Sequence, residues 1–184
     1  MLSFSFIPFP ILQTQRLELR RIEENDVHDL FLLRSDKNVM AHIDRPVAKS
    51  PDDVTALIKK IIELEESNDA INWAITLRPD RRLIGNICIW NISKEDHRGE
   101  LGYMLHPAFH RQGLMQEAVS AVLDYGFGVL KLHSIEAIVT PKNIPSIKIL
   151  ERNRFVREAY FKENHFSNGQ YTDTAVYSLL TSLT

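Results

Sequence analysis

Several residue types and patterns are scarce in this sequence, and each scarcity excludes a class of protein. The single cysteine, Cys88, excludes an internal disulfide framework and a cysteine-rich zinc site. No apolar run approaches the roughly 20 residues that a membrane-spanning helix requires. The 22 basic and 24 acidic residues leave a formal net charge of −2, which argues against a protein held to nucleic acid by bulk charge.

What is present fits a compact folded domain. The chain has 184 residues, of which 44% are hydrophobic and 25% charged, enough to bury a sizeable core. No stretch is rich enough in Gly, Ser or Pro to divide domains, so we expect residues 1–184 to form one domain, with residues 1–12 as a loosely ordered lead-in. That opening lacks the basic region of a secretory signal, and we expect a cytoplasmic protein.

The apolar periodicity predicts alternating strands and helices. Strands are expected at 16–22, 72–77, 83–92, 99–105, 134–139, 155–161 and 171–180. Helices are expected at 25–34, 51–66, 113–130 and 145–152. Ser50, Pro51 and Asp53 form a capping-box-like start for the second helix. Asn168-Gly169 predicts a hairpin turn between the last two strands.

This order of elements predicts an α/β fold with a mixed sheet. The strand–helix–strand unit over residues 99–139 should be parallel with a right-handed crossover. The earlier strands should form an antiparallel meander, and the last two should close the sheet as a hairpin.

The segment His106 to Ala118 carries the most chemical information. A strand ends, a short loop with Arg111 and Gly113 follows, and a helix begins at once. A helix N-terminus offers unpaired backbone N–H groups and partial positive charge, which suits a phosphate or pyrophosphate. A plain tight turn around Gly113 is the alternative. The loop lacks the Gly-Lys-Ser/Thr ending of a P-loop and the three glycines of a dinucleotide fingerprint.

The loop resembles the acetyl-coenzyme A (acetyl-CoA) loop of GCN5-related N-acetyltransferases (GNAT), whose pattern is Gln/Arg-x-x-Gly-x-Gly/Ala. Residues 110–115, His-Arg-Gln-Gly-Leu-Met, occupy that pattern. Other segments similar to family landmarks follow in the same order: 14–20, 35–40, 73–75, 83–85, 99–103, 124–127, 143–146, 150–155, 169–173 and 176–179. Together they look most like the RimJ/RimL branch, which acetylates ribosomal proteins on N-terminal alanine or serine.

The resemblance implies a central twisted mixed sheet of about seven strands flanked by about four helices. It implies acetyl transfer from acetyl-CoA, a co-substrate, to a primary amine by direct attack in a ternary complex. The acceptor could be a protein N-terminal alanine or serine, or a small amine such as an amino acid or an antibiotic. A non-catalytic acyl-CoA sensor is the alternative of another class. No metal, nucleic-acid or membrane partner is expected, and a homodimer stays open.

The resemblance also implies site residues. The expected cofactor contacts are Met104, Leu105, His110, Arg111, Gln112, Gly113, Leu114, Met115, Gln116, Asn143 and Ser146. Glu100 is the candidate catalytic base, with a salt-bridged or solvent-facing strand residue as the plain alternative. Ser146 is a candidate proton donor to the leaving thiolate, because Leu150 stands where many relatives have a tyrosine; a water-facing helix serine is the alternative. Asn143 could contact the cofactor or cap a helix.

Weaker features have structural interpretations that we favour. Arg154 stands before a strand, at a position where the family usually has a glycine. That glycine shapes the backbone bend before the strand, so the sequence leaves open whether the same bend forms here. Cys88 should be a buried, inert thiol. The pair His106 and His110 lacks the spacing and the carboxylate partner of a metal site. The aromatic residues Trp73, Trp90 and Phe109 could line an acceptor pocket, but core packing is more usual for such residues.

Overall fold

The computed structural model describes residues 2–167 and 169–181, so Asn168 of the predicted hairpin turn lies outside the described residues. The strands are β1 (Leu12–Gln13), β2 (Leu17–Arg21), β3 (Ile71–Leu77), β4 (Leu83–Ser93), β5 (Arg98–Leu105), β6 (Ser134–Val139), β7 (Val156–Ser167) and β8 (Gln170–Leu180). The helices are α1 (Val27–Ser35), α2 (Lys37–Met40), α3 (Pro51–Glu66), α4 (Leu114–Gly128) and α5 (Ile144–Arg152).

The strands form one mixed sheet. Their order is β1-β2-β3-β4-β5-β6-β8-β7 within the described residues. Every neighbouring pair is antiparallel except β5 and β6, which are parallel and joined through α4. The predicted meander, central parallel pair and closing hairpin are therefore confirmed. The short strand β1 and the one-turn helix α2 are additions that the periodicity did not predict, because elements of two and four residues carry no period.

Local capping explains where the first long helices begin. Helix α3 spans the predicted residues, and the Asp53 carboxylate accepts a hydrogen bond from the Ser50 N–H at 3.1 Å. Helix α1 begins later than predicted because residues 24–26 form a 3-10 turn. There the buried Asp26 accepts hydrogen bonds from the Arg20 guanidinium at 2.7 and 2.8 Å and from the Glu23 N–H at 2.8 Å.

The lead-in segment is tied to the rest of the molecule. Phe6 is fully buried in the core, and its N–H donates to Asn68 Oδ1 at 2.8 Å. Trp73 is also fully buried, and its indole N–H donates to the Pro10 carbonyl at 2.8 Å. Trp73 thus belongs to the core, as its apolar strand suggested. No helix among the described residues is long and apolar enough to cross a bilayer.

Strands β5 and β6 pair over a short distance and then separate. Their register runs from Arg98↔Ser134 to Glu100↔Glu136. Within the described part of the chain no pairing of β5 with β6 follows beyond Glu100, although β6 stays paired with β8 up to Val139. The His106 N–H donates to the Ile84 carbonyl of β4 at 2.8 Å. Because N–H directions alternate along a strand, the N–H groups of Tyr103 and Leu105 point away from β4, into the opening.

Arg154 keeps the backbone bend that the family's glycine would make. It lies between α5 and β7 with a φ of 65°, in the left-handed region that glycine adopts without strain. Its N–H donates to the Glu151 carbonyl at 2.9 Å, which closes the end of the helix. The bend is therefore formed with a side chain present.

Candidate active site

A cleft of about 950 Å³ runs across the sheet. Its floor is one face of β3, β4 and β5, and its walls come from α1, the loop 42–46 and α3. One end reaches the opening between β5 and β6, where the first turn of α5 closes it. The cleft thus joins a backbone edge at one end to a set of polar side chains at the other.

The loop before α4 is shaped to expose backbone N–H groups. Arg111 and Gly113 have φ values of 61° and 76°, and a Cβ on Gly113 would meet only the Arg16 guanidinium, at 3.5 Å. The first helical N–H with a backbone acceptor belongs to Glu117, which donates to the Gly113 carbonyl at 3.1 Å. The N–H groups of the preceding turn, 114–116, therefore remain available to an anion.

Side chains of this loop hold it in place. His110 Nε2 lies 2.8 Å from the Leu105 carbonyl at the end of β5. Gln112 donates from Nε2 to the Ala108 carbonyl at 3.0 Å, whereas Arg111 is exposed. Their positions assign His110 and Gln112 to the loop's own structure and leave Arg111 free to face a ligand's charge.

Helix α4 offers a ligand mainly backbone atoms, because side chains of its first turn are buried. Leu114 and Met115 pack into the core, so only their N–H groups are accessible to a ligand. Gln116, in the same turn, has its side-chain oxygen buried without a hydrogen-bond partner among the described residues. The predicted cofactor residues 110–116 are thus brought together, with different parts of each residue facing outward.

An acidic residue in the first turn of α4 is neutralised by the N-terminal part of the chain. Partial burial acts to raise the pKa of Glu117, but hydrogen bonds from Thr14 and Arg16 outweigh it and lower the pKa. Arg16 forms an ion pair with this carboxylate at 2.7 Å and also donates to the Gln112 carbonyl at 2.9 Å. The carboxylate therefore does not repel an anion at the helix start, because its charge is compensated locally.

Two hydroxyl groups meet at the opening between β5 and β6. Tyr103 Oη lies 2.7 Å from Ser146 Oγ, and burial raises the pKa of Tyr103 to about 12. Ser146 is 8% exposed, so it does not face water as the plain alternative expected. Asn143 caps α5 by accepting a hydrogen bond from the Ser146 N–H at 3.2 Å, and it also lines the cleft. Leu150 is fully buried in the core.

Met104 and Leu105 take different roles at this opening. The N–H of Leu105 points into the opening, whereas that of Met104 points toward β4 by the same alternation. The Met104 side chain instead lines the cleft. Of the two residues expected to offer a backbone N–H to the thioester, the geometry favours Leu105.

Glu100 lies on the cleft floor at the last paired position of β5 and β6. Burial raises its pKa, and the charge of Glu136 acts in the same direction. Asn91 donates to its Oε2 at 3.0 Å, and this bond and the charge of Arg45 lower the pKa in part. No ion pair involves Glu100 within the described residues, so the salt-bridged alternative does not describe it.

The floor also carries an amide pair that the sequence alone did not single out. Asn86 donates from Nδ2 to Asn72 Oδ1 at 3.0 Å, and both residues line the cleft. Asn86 is 8% exposed, and its Oδ1 has no hydrogen-bond partner among the described residues. Alternation in β3 and β4 places these residues on the floor, but nothing in the sequence marks an asparagine in an apolar strand as a ligand contact.

Other features named from the sequence have simpler positions. Cys88 lies on the cleft floor and is partly exposed, which corrects the expectation of a buried thiol. Partial burial raises the pKa of this thiol to about 12, so it stays protonated at neutral pH. Trp90 lines the cleft beneath the Arg45 guanidinium, 5.1 Å from the ring centre. Phe109 packs against the core.

The sequence of this chain matches a known protein family over most of its length. Residues 16–156 match the family described as the acetyltransferase (GNAT) domain. The chain belongs to the GNAT family. The predicted fold, enzyme class and acetyl-CoA co-substrate are thereby confirmed, and the chain is an acetyl-CoA-dependent N-acetyltransferase.

Two curated relatives and one solved structure are similar to this GNAT protein over most of its length. The uncharacterised N-acetyltransferase YoaA of Bacillus subtilis is 32% identical over 94% of this chain and 97% of its own length. The ribosomal protein uS5-alanine N-acetyltransferase of Escherichia coli is 26% identical over 96% of this chain and 94% of its own length. The spermidine N-acetyltransferase of Vibrio cholerae, solved with CoA and spermine, has a TM-score of 0.83 and 25% identity, covering 92% of this chain and 98% of that one.

The residues fit the co-substrate that the family implies. The uncapped first turn of α4 and the exposed Arg111 suit a pyrophosphate, and the free edge of β5 suits an arm that carries amides. Among the described residues no group of three or more His, Cys, Asp or Glu side chains is arranged to hold a metal ion.

Proposed function

We propose that the chain acts as a single domain that acetylates a primary amine by direct attack on acetyl-CoA in a ternary complex. The observation that carries this proposal is the separation of β5 from β6. It leaves the N–H groups of Tyr103 and Leu105 between the start of α4 and the carboxylate of Glu100. A thioester held along this edge would face the acceptor cleft.

Backbone groups do most of the cofactor binding in this proposal. Acetyl-CoA supplies the acetyl group as an activated thioester. The N–H groups of 114–116 bind its pyrophosphate, and Arg111 adds a full positive charge beside them. The open edge of β5 pairs with the amides of the pantetheine arm as an added strand would. His110 and Gln112 keep the loop in the conformation that presents these groups.

The side chains at the opening divide the proton transfers. Glu100 accepts a proton from the acceptor ammonium through water, since its raised pKa makes it a stronger base than an exposed carboxylate. The Leu105 N–H stabilises the negative charge that develops on the thioester oxygen. As the carbon–sulfur bond breaks, the Ser146 hydroxyl donates a proton to the departing thiolate, with Tyr103 as its hydrogen-bond partner. Ser146 regains a proton, relayed through water, from the amine nitrogen, which loses its second proton as the amide forms.

The acceptor is proposed to be a primary amine in a cytoplasmic setting. A protein N-terminal alanine, as in the uS5 enzyme, and a small amine, as in the spermidine enzyme, are both supported by relatives of this chain. A homodimer remains a prediction from the resemblance.

Calorimetry with acetyl-CoA and a thiol-release assay test this function. The amine panel contains peptides with N-terminal alanine or serine, spermidine and free amino acids. We expect acetyl-CoA binding and thiol release with at least one amine. Tight binding without turnover on any amine would identify a sensor, and absence of acetyl-CoA binding would overturn the proposal.

A further inference from the structure

The wall of the cleft that faces the floor carries cationic side chains from separate segments: Arg34 of α1, Arg45 of the loop 42–46 and Lys60 of α3. None of them forms an ion pair with a carboxylate in the part of the chain that the structure describes. Arg20 and Arg21, by contrast, are both paired with carboxylates, at 2.7 and 2.8 Å.

Arg34 and Arg45 are close enough to influence each other. Burial lowers the pKa of Arg34, and the charge of Arg45 lowers it further. Arg34 is partly buried and Arg45 is exposed at the mouth of the cleft, so Arg34 loses hydration and is also repelled by the charge of Arg45. A bound anion would offset both costs. The acidic neighbour Asp44 is directed elsewhere, since its carboxylate lies 3.1 Å from His165 Nε2, although without the alignment of a hydrogen bond.

The floor of the cleft carries hydrogen-bond acceptors, in contrast to the cationic side chains of the wall. Asn86 Oδ1, which has no hydrogen-bond partner among the residues that the structure describes, and the Glu100 carboxylate are hydrogen-bond acceptors, and an amine supplies the donors that they need. Leu57, Ile61 and Leu64 of α3 add apolar surface to the wall. The cleft therefore separates acceptors for an amine, on the floor, from donors for an anion, on the wall.

We propose that the acceptor of this enzyme is a primary amine that carries a carboxylate a few bonds away, with Arg34 and Arg45 binding that carboxylate. A free α-amino acid with an apolar side chain has this chemistry, and so does a protein N-terminus followed by an acidic residue. Arg guanidinium groups suit a carboxylate because their N–H donors match its two oxygens. This inference rests on the proposed N-acetyltransferase function.

Matched pairs of amines test the inference. Leucine, methionine and phenylalanine are compared with their carboxamides by thiol release, and Ala-Asp-led peptides with Ala-Asn-led ones; spermidine is the acceptor without an anion. We expect at least one carboxylate series to exceed its amide in kcat/KM by about tenfold or more, as a charge-assisted contact implies. The series that shows the preference identifies the source of the carboxylate.

Substitutions in the cleft wall test whether its arginines cause the preference for carboxylate-bearing amines. Arg34→Gln and Arg45→Gln should each remove most of it, whereas Arg34→Lys should retain part of it because the charge remains. Lys59→Gln is the control, since it removes a positive charge from α3 at an exposed position outside the cleft lining. Thermal unfolding of each variant checks that a loss does not reflect unfolding.

Equilibrium binding provides a readout without turnover. Calorimetry on the CoA-bound protein compares each acid with its amide, and the acids should bind more tightly. Equal affinities, tighter binding of spermidine, or no binding of any carboxylate would overturn the inference. If another amine is still acetylated in those cases, the proposed function survives; loss of acetyl-CoA binding itself would overturn that function.

Discussion

The two ends of the cleft are built from different chemical parts. At the end that we propose binds the cofactor, the groups open to a ligand are mostly backbone N–H groups, from 114–116 and from the open edge of β5. At the acceptor end they are side chains, such as Arg34, Asn86 and Glu100, which come from separate elements. Backbone groups depend on chain path and tolerate many sequences, whereas a side-chain site changes with each substitution. The same fold can therefore keep one cofactor and change its acceptor.

The largest effect should follow from placing a charge at the backbone end. Gly113→Asp puts a carboxylate where the pyrophosphate is expected, and we predict about 100-fold weaker acetyl-CoA binding by calorimetry, because like charges meet at the helix start. Gly169→Asp is the matched control, since Gly169 also has a positive φ, 78°, in open space but lies in the β7–β8 turn. Equal affinity of Gly113→Asp and the unaltered protein would contradict the assigned cofactor site.

The next effect tests the side-chain end. Glu100→Gln removes the proposed base but keeps the shape, so kcat should fall by about 10² to 10³ while acetyl-CoA affinity stays within about twofold. Glu95→Gln, at an exposed position in the β4–β5 turn, should leave kcat unchanged. A parallel loss of cofactor affinity in Glu100→Gln would show that the two ends are not separable.

The pH dependence of kcat also tests Glu100, because two substitutions should shift it in opposite directions. Glu100 acts as a base only when ionised, so kcat should rise with pH through its raised pKa. Asn91→Ala removes a hydrogen bond that lowers this pKa and should move the rise to higher pH. Glu136→Gln removes a charge that raises it and should move the rise to lower pH. Shifts in the same direction would exclude Glu100 as the titrating group.

A smaller effect is expected at the junction of the two ends. Ser146→Ala and Tyr103→Phe should each lower kcat by about tenfold to a hundredfold, since each weakens proton delivery to the thiolate. Because the hydroxyls form one hydrogen-bonded unit, the double variant should lose little more than the worse single variant. Fully additive losses, measured as ratios of kcat, would show that the two groups act independently.

The smallest effect concerns stability outside the cleft. Arg154→Gly relieves a left-handed backbone conformation at some cost in chain entropy, so the free energy of unfolding should rise by about 0.5 kcal/mol. Arg152→Gly, in the last turn of α5, should instead lower it by up to about 1 kcal/mol. Urea unfolding measures both. A decrease for Arg154→Gly would show that its side chain contributes contacts that outweigh the strain.

The local structure of the proposed cofactor end was predictable because its residues are contiguous. A strand end, a glycine and a helix start within 106–118 specify both the chain path and the free N–H groups. Local signals likewise placed most helices and strands, and Ser50 with Asp53 marked the start of α3. The hydroxyl pair of Tyr103 and Ser146 was only half predicted, because its members lie far apart in sequence and meet only when α5 packs over the β5–β6 opening.

The sequence by itself determined the order of most elements, the GNAT-like loop and the backbone N–H groups that the start of α4 leaves unpaired among the described residues, since these depend on short-range periodicity and turn geometry. Only the tertiary structure decided where β5 leaves β6, that Glu100 is half-buried, and that Arg34 and Arg45 line the same cleft as Asn86. The physical reason is that burial and long-range charge depend on packing between segments, which no local pattern encodes.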